Sequence, residues 1–257
     1  MIGKNVIVSG GTSGLGLATV NSFLEEGANV VVAARSREKF EENLGKEHSK
    51  LHFVQTDFNN MQSVNSLYEW IEKKFTTLDI AINNVGHGTI KPMTEFSEAD
   101  FDYALNVNLK SLWLSLKHQI RLMKGETSKQ KHIINVSSIN GLGGAEYLSL
   151  YAAAKAGVIS LTKSAALENA KSNIAINVIV PGPFATPMLE NVFNIQAGGD
   201  MEKQNAISEQ YKGMIPAGRF GRPDELAEAI VWLCQGKSTY LSGHSLIIDG
   251  GLTSRFR

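Results

Sequence analysis

Short apolar segments alternate with amphipathic ones along nearly the whole chain, and this alternation narrows the choice of folds more than any other feature. Segments that are short, rich in Val and Ile and apolar on both faces are typical of buried parallel strands. The predicted strands are Asn5–Ser9, Asn29–Ala34, Leu51–Thr56, Leu78–Asn83, His132–Ser137, Ala175–Val180 and Ser245–Asp249. Helices are predicted at about Gly14–Glu26, Met61–Lys74, Glu98–Met123, Leu150–Ala170 and Pro223–Cys234. This order predicts an α/β fold, a doubly wound seven-stranded parallel sheet with helices on both faces.

The length and composition fit one large domain rather than several. The chain has 257 residues, of which 43% are hydrophobic, and it contains no internal repeat or inter-domain linker, so we expect residues 1–257 to form a single domain. The longest weakly patterned stretch, 184–222, follows a predicted strand, and ligands of open α/β sheets bind beyond the carboxyl ends of strands. We interpret it as a substrate lid within the domain, with a plain surface excursion as the alternative.

Charge and residue counts argue against several classes of protein. Because 25 Lys and Arg balance 25 Asp and Glu, nothing favours a nucleic-acid or anionic-membrane partner. The one Cys, Cys234, lies in an apolar run and is predicted to be a buried structural thiol. The six His are scattered, and no cluster of ligands suggests a metal. The N-terminus lacks a signal-peptide pattern and no apolar run is long enough to span a bilayer, so we expect a soluble, cytoplasmic protein.

The segment between the first predicted strand and the first predicted helix is rich in glycine. It reads Ser9-Gly10-Gly11-Thr12-Ser13-Gly14-Leu15-Gly16. Gly10 permits a tight turn, and Gly14 and Gly16 remove side chains where backbone must approach a pyrophosphate or the sheet. Exposed N–H groups at the positive end of the helix would then hold the anion. In this strand–turn–helix context the glycines predict a dinucleotide site, whereas the lack of Gly-Lys-Ser/Thr argues against a nucleotide triphosphatase.

The end of the second predicted strand bears on which dinucleotide is bound. An Asp or Glu about 20 residues after the glycines would bind the ribose diol of NAD and repel a 2′-phosphate. Ala34 stands there instead, and Arg35 and Ser36 follow it. Because a guanidinium suits a phosphate through charge and bidentate geometry, the sequence favours NADP(H). NAD(H) is the alternative if Arg35 only lies on an exposed turn.

Tyr151 and Lys155 stand four residues apart in a segment predicted to be helical. Positions i and i+4 share one face of a helix, so a phenol and an ammonium would lie side by side. A neighbouring cation favours the phenolate and lowers the pKa of a Tyr from its usual value near ~10. Such a Tyr could exchange a proton with an alcohol or alkoxide. The spacing alone is also compatible with a surface Tyr beside a solvated Lys.

Further short motifs occur in the order found in the short-chain dehydrogenase/reductase family, which the chain resembles over nearly its whole length in the single-domain form. The matching segments are Ser9–Gly16 with Ser9 for the usual Thr, Asp57-Phe58, Asn83-Asn84-Val85-Gly86 with Val85 for the usual Ala, Asn108, Ser138 thirteen residues before Tyr151, Pro181-Gly182 with Thr186, and Ile248-Asp249-Gly250-Gly251. The resemblance implies a Rossmann-type sheet that both binds NAD(P) and catalyses hydride transfer. It also implies a homotetramer, assembled through the long helices around Asp100–Met123 and Leu150–Ala170 and the C-terminal strand.

The resemblance implies a catalytic tetrad of Asn108, Ser138, Tyr151 and Lys155. In this scheme Tyr151 donates the proton that quenches an alkoxide, and Lys155 lowers its pKa and holds the nicotinamide ribose. Ser138, at a strand end, would hydrogen-bond the substrate oxygen, with a turn-capping Ser before Gly141 as the alternative. Asn108, a poor helix former inside a predicted helix, would link Lys155 to solvent through water, with a satisfied core amide as the alternative.

The predicted binding residues follow from the same motifs. The predicted cofactor-binding residues are Gly10, Thr12, Ser13, Gly14, Leu15, Gly16, Arg35, Ser36, Asp57, Phe58, Asn84, Val85, Gly86, Tyr151, Lys155, Pro181, Gly182, Phe184 and Thr186. The predicted substrate-site residues are His87, Ser138, Gly144, Glu146, Leu148 and Met188, in a pocket also bounded by Gly88, Phe184 and Leu189. Most of these are small or apolar, which favours an uncharged ketone or aldehyde.

Three functions fit the sequence. The first is an NADPH-dependent carbonyl reductase, reversible toward alcohol oxidation. The second is a β-ketoacyl-thioester reductase of the fatty-acid type, which would need a basic docking surface for an acidic carrier; Lys124, Lys129 and Lys131 are too dispersed to predict one. The third is a catalytically silent dinucleotide-binding protein, against which the complete tetrad argues.

Overall fold

The computed structural model describes residues 1–125, 130–236 and 240–254. Seven strands form one parallel sheet in the order β3-β2-β1-β4-β5-β6-β7, which confirms the predicted α/β fold. The strands are β1 (Asn5–Ser9), β2 (Asn29–Ala34), β3 (Leu51–Gln55), β4 (Ile80–Asn83), β5 (Lys131–Val136), β6 (Ile174–Pro181) and β7 (Ser245–Ile248). The strand order reverses between β1 and β4, and this reversal opens the crevice where such sheets bind ligands.

Helices connect successive strands and cover both faces of the sheet. They are α1 (Gly14–Glu25), α2 (Arg37–Leu44), α3 (Met61–Lys74), α4 (Glu98–Leu105), α5 (Ser111–Met123), α6 (Ser149–Asn169), α7 (Pro187–Ala197), α8 (Met201–Met214) and α9 (Pro223–Cys234). Among the described residues, none of these helices is long and apolar enough to cross a membrane. The expected cytoplasmic location stays a prediction.

Alternate residues of the central strands enter two separate hydrophobic cores. Ile7 and Ile133 point to one face, where they pack in a cluster with α3, α5 and α6. Val6 and Val8 point to the other face, where they pack in a cluster with α1, α2 and α9. A sheet buried on both faces in this way requires strands that are apolar throughout, and this is why the sequence predicted them so closely.

The predicted helix Glu98–Met123 is interrupted by a π-helical turn at Asn106–Lys110. Its start is as predicted, because Ser97 and Asp100 form a reciprocal capping box. The interruption has a local cause: Asn108 Nδ2 donates to the backbone oxygen of Ala104 at 2.8 Å and so competes with the helical hydrogen bonds. Single π turns of this kind occur often at functional sites.

Helices α2 and α7 were not predicted. Helix α2 is short and polar, and Phe40 is the residue it buries, so it has too little apolar periodicity to be recognised. Helix α7 begins with Pro187 at its first turn, a position that Pro tolerates well but that resembles a break in sequence.

The stretch 184–222 forms the helical pair α7 and α8. Phe193 holds the pair together, because its ring centroid lies 5.1 Å from that of Tyr211 and 5.7 Å from that of Phe220. The two ends of the stretch meet, since Phe184 pairs with Gly221 in an isolated β-bridge. The stretch 184–222 is therefore a compact helical unit whose two ends lie side by side at Phe184 and Gly221.

Candidate active site

The glycine-rich turn lies at the crevice, beyond the carboxyl end of β1. Gly10 and Gly14 have φ angles of +69° and +52°, in the left-handed region that favours glycine. A Cβ at Gly16 would lie 2.7 Å from Asn84 Nδ2, so only glycine lets the turn pack there. Within the described part of the chain, the Ser13 side chain makes no cap hydrogen bond to α1. The first N–H groups of the helix are thus available to an anion, and the turn fits a pyrophosphate.

The other residues of the turn are held by neighbouring elements. Thr12 is buried, and its backbone oxygen accepts from Asn43 Nδ2 of α2 at 3.2 Å. Leu15 packs partly against the core cluster of α1 and α9. A Cβ at Gly14 would lie 3.3 Å from Thr186 Cγ2, so the start of α7 lies directly over the turn.

Arg35 and Ser36 lie at the end of β2, beside the turn. The Arg35 side chain is exposed, and its backbone oxygen accepts from Gln55 Nε2 at 3.0 Å. The Ser36 hydroxyl caps α2 by accepting from the N–H of Lys39 at 3.1 Å. Burial lowers the pKa of His87, and the positive charge of Arg35 lowers it further.

Asp57 and Phe58 follow β3 and have different surroundings. The Asp57 side chain is exposed and accepts from the N–H of Asn59 at 2.9 Å. The Phe58 ring is buried in the core on the α3 side. If this pair contacts a cofactor, the Asp57 carboxylate and the backbone are the groups that can reach it.

The segment after β4 joins the turn to the catalytic helix. The backbone N–H of Asn84 donates to Ser9 Oγ at 3.1 Å, so the Ser9 hydroxyl joins the end of β1 to the segment after β4. The backbone oxygen of Val85 accepts from Lys155 Nζ at 3.4 Å. A Cβ at Gly86 would lie 3.1 Å from the same nitrogen, so glycine leaves room for the ammonium.

Tyr151, Lys155 and Ser138 come together at the carboxyl ends of β4 and β5. Tyr151 and Lys155 lie on α6, and Lys155 Nζ is 5.7 Å from the centroid of the Tyr151 ring. Lys155 is only 2% exposed and donates to the backbone oxygen of Val136 at 2.9 Å. The Ser138 hydroxyl faces the Tyr151 phenol, whose pKa it lowers. It also accepts from the N–H of Asn140 at 3.2 Å, so Ser138 caps the following turn as well as facing Tyr151.

The two titratable side chains are shifted by burial. Burial raises the pKa of Tyr151 to about 12, and the hydrogen bond from Ser138 opposes this increase. Burial also lowers the pKa of Lys155 to about 8. The pKa of Tyr151 is thus shifted upward, whereas the Tyr–Lys spacing predicted a downward shift. The reason is that the ammonium is directed toward backbone carbonyls rather than the phenol, so desolvation outweighs its field.

Asn108 is a buried amide that holds the loop after β4. Its Oδ1 accepts from the N–H of His87 at 2.9 Å, and its Nδ2 donates to the backbone oxygen of His87 at 2.9 Å. With the bond to Ala104, the side chain is fully engaged, so both of its atoms meet backbone groups rather than Lys155. A cavity of about 10 Å³ lies between Asn108, Ser111 and Lys155, which is about the space one water molecule needs.

Most of the predicted substrate residues lie on two loops that face each other. His87 packs edge to face on Tyr103, with ring centroids 5.3 Å apart. A Cβ at Gly88 would lie 3.6 Å from Leu148 and 3.7 Å from Tyr151, so this loop borders the Tyr151 side chain. Gly144 and Glu146 are exposed on the opposite loop, and Met188 is exposed on α7. The loops are tied together, because the N–H of Lys91 donates to the backbone oxygen of Tyr147 at 2.9 Å.

The residues after β6 meet the end of β7. A Cβ at Gly182 would lie 2.7 Å from Asp249 Cβ, so glycine is required where Pro181 ends the strand. The Phe184 side chain is buried against Gly221 rather than in the crevice. Thr186 caps α7 by accepting from the N–H of Leu189 at 3.4 Å. Of this group, Thr186 has the side chain nearest the glycine-rich turn.

Two residues that the sequence did not single out also build the site. Asn43 braces the glycine-rich turn from α2, a helix too polar to predict. The Ser137 hydroxyl donates to the backbone oxygen of Lys155 at 2.7 Å and so fixes α6 to the end of β5. Ser137 stands beside Ser138 in the sequence, which was the only available signal.

Comparison with known proteins agrees with this geometry. A family model described as "Enoyl-(Acyl carrier protein) reductase" matches residues 10–253. The chain is 33% identical to a 3-oxoacyl-[acyl-carrier-protein] reductase of Thermotoga maritima, over 97% of this chain and 98% of the relative. It is 34% identical to a 2,5-dichloro-2,5-cyclohexadiene-1,4-diol dehydrogenase of Sphingobium indicum, over 98% of each. The solved structure of levodione reductase superposes with a TM-score of 0.91 at 28% identity and covers 100% of both chains.

The chain therefore belongs to the short-chain dehydrogenase/reductase family. It is an oxidoreductase that acts on a small molecule at a carbonyl or CH–OH group, and family membership implies NAD(P)(H) as its cofactor.

Proposed function

We propose that this protein is an NADPH-dependent reductase of an uncharged ketone or aldehyde, reversible toward alcohol oxidation. The observation that carries the proposal is the convergence of Tyr151, Ser138 and Lys155 beside the glycine-rich turn. The bound nicotinamide would supply the hydride. The protein's own task is to bind the carbonyl and to deliver a proton to its oxygen as negative charge develops there.

Each catalytic group has a role that its surroundings support. With a pKa raised to about 12, Tyr151 is protonated at neutral pH and serves as the general acid in reduction. Ser138 faces the same phenol and would share with it the binding of the substrate oxygen. Lys155, which is charged below a pKa of about 8, provides positive potential next to the developing alkoxide. Asn108 keeps the loop of His87 in place beside Tyr151.

The preference for NADPH rests on Arg35. Among the described residues no ion pair engages Arg35, whereas the nearby Arg37 binds Glu47 at 2.9 Å and lies over the Phe53 ring. An exposed guanidinium beside the cofactor turn is suited to a 2′-phosphate. The rest of the predicted cofactor set, including Asp57, stays part of this proposal.

A β-ketoacyl-thioester reductase is the second candidate, because several relatives carry that activity in their names. The surface offers it limited support. Lys131 is 1% exposed and pairs with Asp79 at 2.9 Å, so it cannot meet an acidic carrier. Lys129 lies outside the described residues. The diol dehydrogenase, whose name describes a cyclohexadiene diol, supports a cyclic substrate instead.

The test is a substrate panel followed by the absorbance of the nicotinamide. The protein is incubated with NADPH or NADH and with cyclic diketones, aliphatic ketones, aldehydes and an acetoacetyl thioester, free or on an acidic carrier protein. We expect cyclic ketones to be reduced fastest with NADPH. A strong preference for the carrier-bound thioester would favour the second candidate. Tight NADPH binding with no consumption on any carbonyl would leave the silent dinucleotide-binding protein.

The assembly is also part of the proposal. The helices and the strand that the family would use for a homotetramer each carry an exposed apolar side chain: Trp113 on α5, Leu167 on α6 and Ile247 on β7. Light scattering should give about four times the chain mass of 28.0 kDa. The excursion 184–222 would close over the substrate as a lid, since its base at Phe184 and Gly221 is narrow and Met188 is exposed near the crevice.

A further inference from the structure

A chain of buried polar side chains runs beneath the catalytic lysine. Asn83 and Asn135 face each other across β4 and β5, and Asn83 Nδ2 donates to Asn135 Oδ1 at 2.8 Å. Asn135 in turn donates to Thr162 Oγ1 on α6 at 2.9 Å. On the other side, Gln119 of α5 bonds Asn83, and Tyr68 of α3 receives a bond from Gln119. These side chains join two strands to three helices.

Gln119 is the centre of this network. It forms a reciprocal amide pair with Asn83, because Asn83 Nδ2 donates to Gln119 Oε1 at 2.9 Å and Gln119 Nε2 donates to Asn83 Oδ1 at 2.8 Å. The second Gln119 N–H donates to Tyr68 Oη at 2.6 Å. Gln119 is 0% exposed and Tyr68 is 2% exposed. Water cannot replace these partners, so the loss of one would leave buried polar atoms unpaired.

The network ends beside the two carbonyls that bind Lys155. The residue after Asn135 is Val136, whose backbone oxygen accepts from Lys155 Nζ at 2.9 Å. Two residues after Asn83 is Val85, whose backbone oxygen accepts from the same nitrogen at 3.4 Å. The amide pair fixes Asn83 at the end of β4, and the bond from Asn83 to Asn135 extends this support to the end of β5, so both strand ends from which the acceptors project are held.

We propose that Gln119 is a positioning residue: its amide pair with Asn83 holds the ends of β4 and β5 so that the carbonyls of Val136 and Val85 bind the Lys155 ammonium. This inference rests on the proposed role of Lys155 in catalysis. Gln119 does not line the cavity beside Lys155 and acts only through the strands.

The test measures the titration of Lys155 itself. The full chain is labelled with ¹³Cε-lysine, and the Lys155 signal, assigned with Lys155→Met, is followed by NMR as pH rises. Tyr151 is the titratable side chain beside it, so its variant Tyr151→Phe is titrated in parallel. Backbone acceptors stabilise the charged form, so Gln119→Leu should shift the Lys155 midpoint to lower pH by about half a unit or more. In the same variant we expect kcat to fall roughly tenfold while KM for the carbonyl changes less than about twofold.

Two further variants make the result decisive. Tyr68→Phe nearly keeps the side-chain volume and removes one partner of Gln119. It should shift the midpoint of the Lys155 titration in the same direction but by less. If Gln119→Leu does not fold, Tyr68→Phe serves as the test. Met123→Ala removes a buried core side chain of the same helix without a polar contact and should lower Tm but leave the midpoint unchanged. An unchanged midpoint in both network variants, or an equal shift in Met123→Ala, would overturn the proposal. Because the NMR readout needs no substrate, it is independent of whether the protein reduces any carbonyl.

Discussion

Lys155 Nζ lies 5.7 Å from the centroid of the Tyr151 ring but 2.9 Å from the backbone oxygen of Val136, so the ammonium is bound to the sheet and not to the phenol. The pKa of Tyr151 is therefore set mainly by burial and by Ser138. This arrangement favours proton donation, because a phenol with a raised pKa keeps its proton until a strong base, such as an alkoxide, forms next to it.

The first prediction concerns the proton donor. Tyr151→Phe removes the phenolic hydroxyl and leaves the ring, so NADPH should bind nearly as tightly while kcat falls by ~10²–10⁴. Ser138→Ala should lower kcat less, since the phenol remains. Fluorescence titration with NADPH and steady-state rates on the best carbonyl measure the two effects. A Tyr151→Phe variant with the wild-type rate would remove Tyr151 from the mechanism.

The second prediction is a pH profile that depends on direction. Reduction needs protonated Tyr151 and charged Lys155; the pKa of Tyr151 is about 12 and that of Lys155 is about 8. The reductive rate should therefore be flat at neutral pH and fall as pH rises through about 8, when Lys155 loses its charge. Alcohol oxidation needs the phenolate and should rise with pH. In Lys155→Met the reductive rate should be low and lack this decline, and a wild-type profile that stays flat well above pH 8 would contradict the assignment.

Most of the sheet could be predicted from the sequence because five of its strands, β1, β2, β4, β5 and β6, are buried on both faces and so have apolar runs. All seven predicted strands agree with the observed ones within about two residues at each end. Helix α2 could not be predicted in this way, since it buries little more than Phe40. The π turn at Asn106–Lys110 depends on one hydrogen bond, from Asn108 to Ala104, which no periodicity reveals.

The position of Tyr151 and Lys155 on one helix was predictable, but their electrostatic surroundings were not. The spacing of Tyr151 and Lys155 correctly places both on α6, yet it cannot tell whether the ammonium meets the phenol or a carbonyl. That choice depends on where β4 and β5 end, which involves residues distant in sequence. The role of Gln119 could not be predicted for the same reason, since its partners Asn83 and Tyr68 lie 36 and 51 residues away in sequence.

The third prediction tests cofactor preference. Arg35→Asp places a carboxylate where we propose the 2′-phosphate lies, so KM for NADPH should rise by roughly tenfold or more while NADH improves. Arg37→Ala is the matched control, because Arg37 is engaged by Glu47. It should leave the ratio of the two cofactors unchanged. If KM for NADPH is unaffected in Arg35→Asp, Arg35 does not bind the phosphate.

The fourth prediction compares two glycines. Gly16→Ala would place a Cβ 2.7 Å from Asn84 Nδ2 and against the Gly10 carbonyl, so the cofactor turn must shift and NADPH binding should weaken at least about tenfold. Gly213→Ala lies in α8 with open space around the added Cβ, and it should stabilise the protein by about 0.5–1 kcal/mol. Isothermal titration and thermal melts measure both variants. Equal NADPH affinity in Gly16→Ala and the wild type would mean that the turn does not hold the cofactor.

The fifth prediction links the buried lysine to stability. The pKa of Lys155 is lowered from 10.5 to about 8 in the folded protein, so between these values the unfolded chain binds more protons than the folded one. The contribution of Lys155 to the free energy of unfolding must then increase as pH rises from about 8 toward 10.5, by up to about 1.4 kcal/mol per pH unit. Lys155→Met lacks this contribution. Urea unfolding at a series of pH values should therefore show the free energy of unfolding of the wild type increasing relative to that of the variant as the pH rises. Parallel curves would mean that burial does not lower the pKa of Lys155, and the reductive pH profile would then need another titrating group. If the increase in the free energy of unfolding is confined to this window, the buried Lys155 ammonium lowers the stability of the fold at neutral pH. Such a loss of stability is expected if the charge of Lys155 serves the reaction.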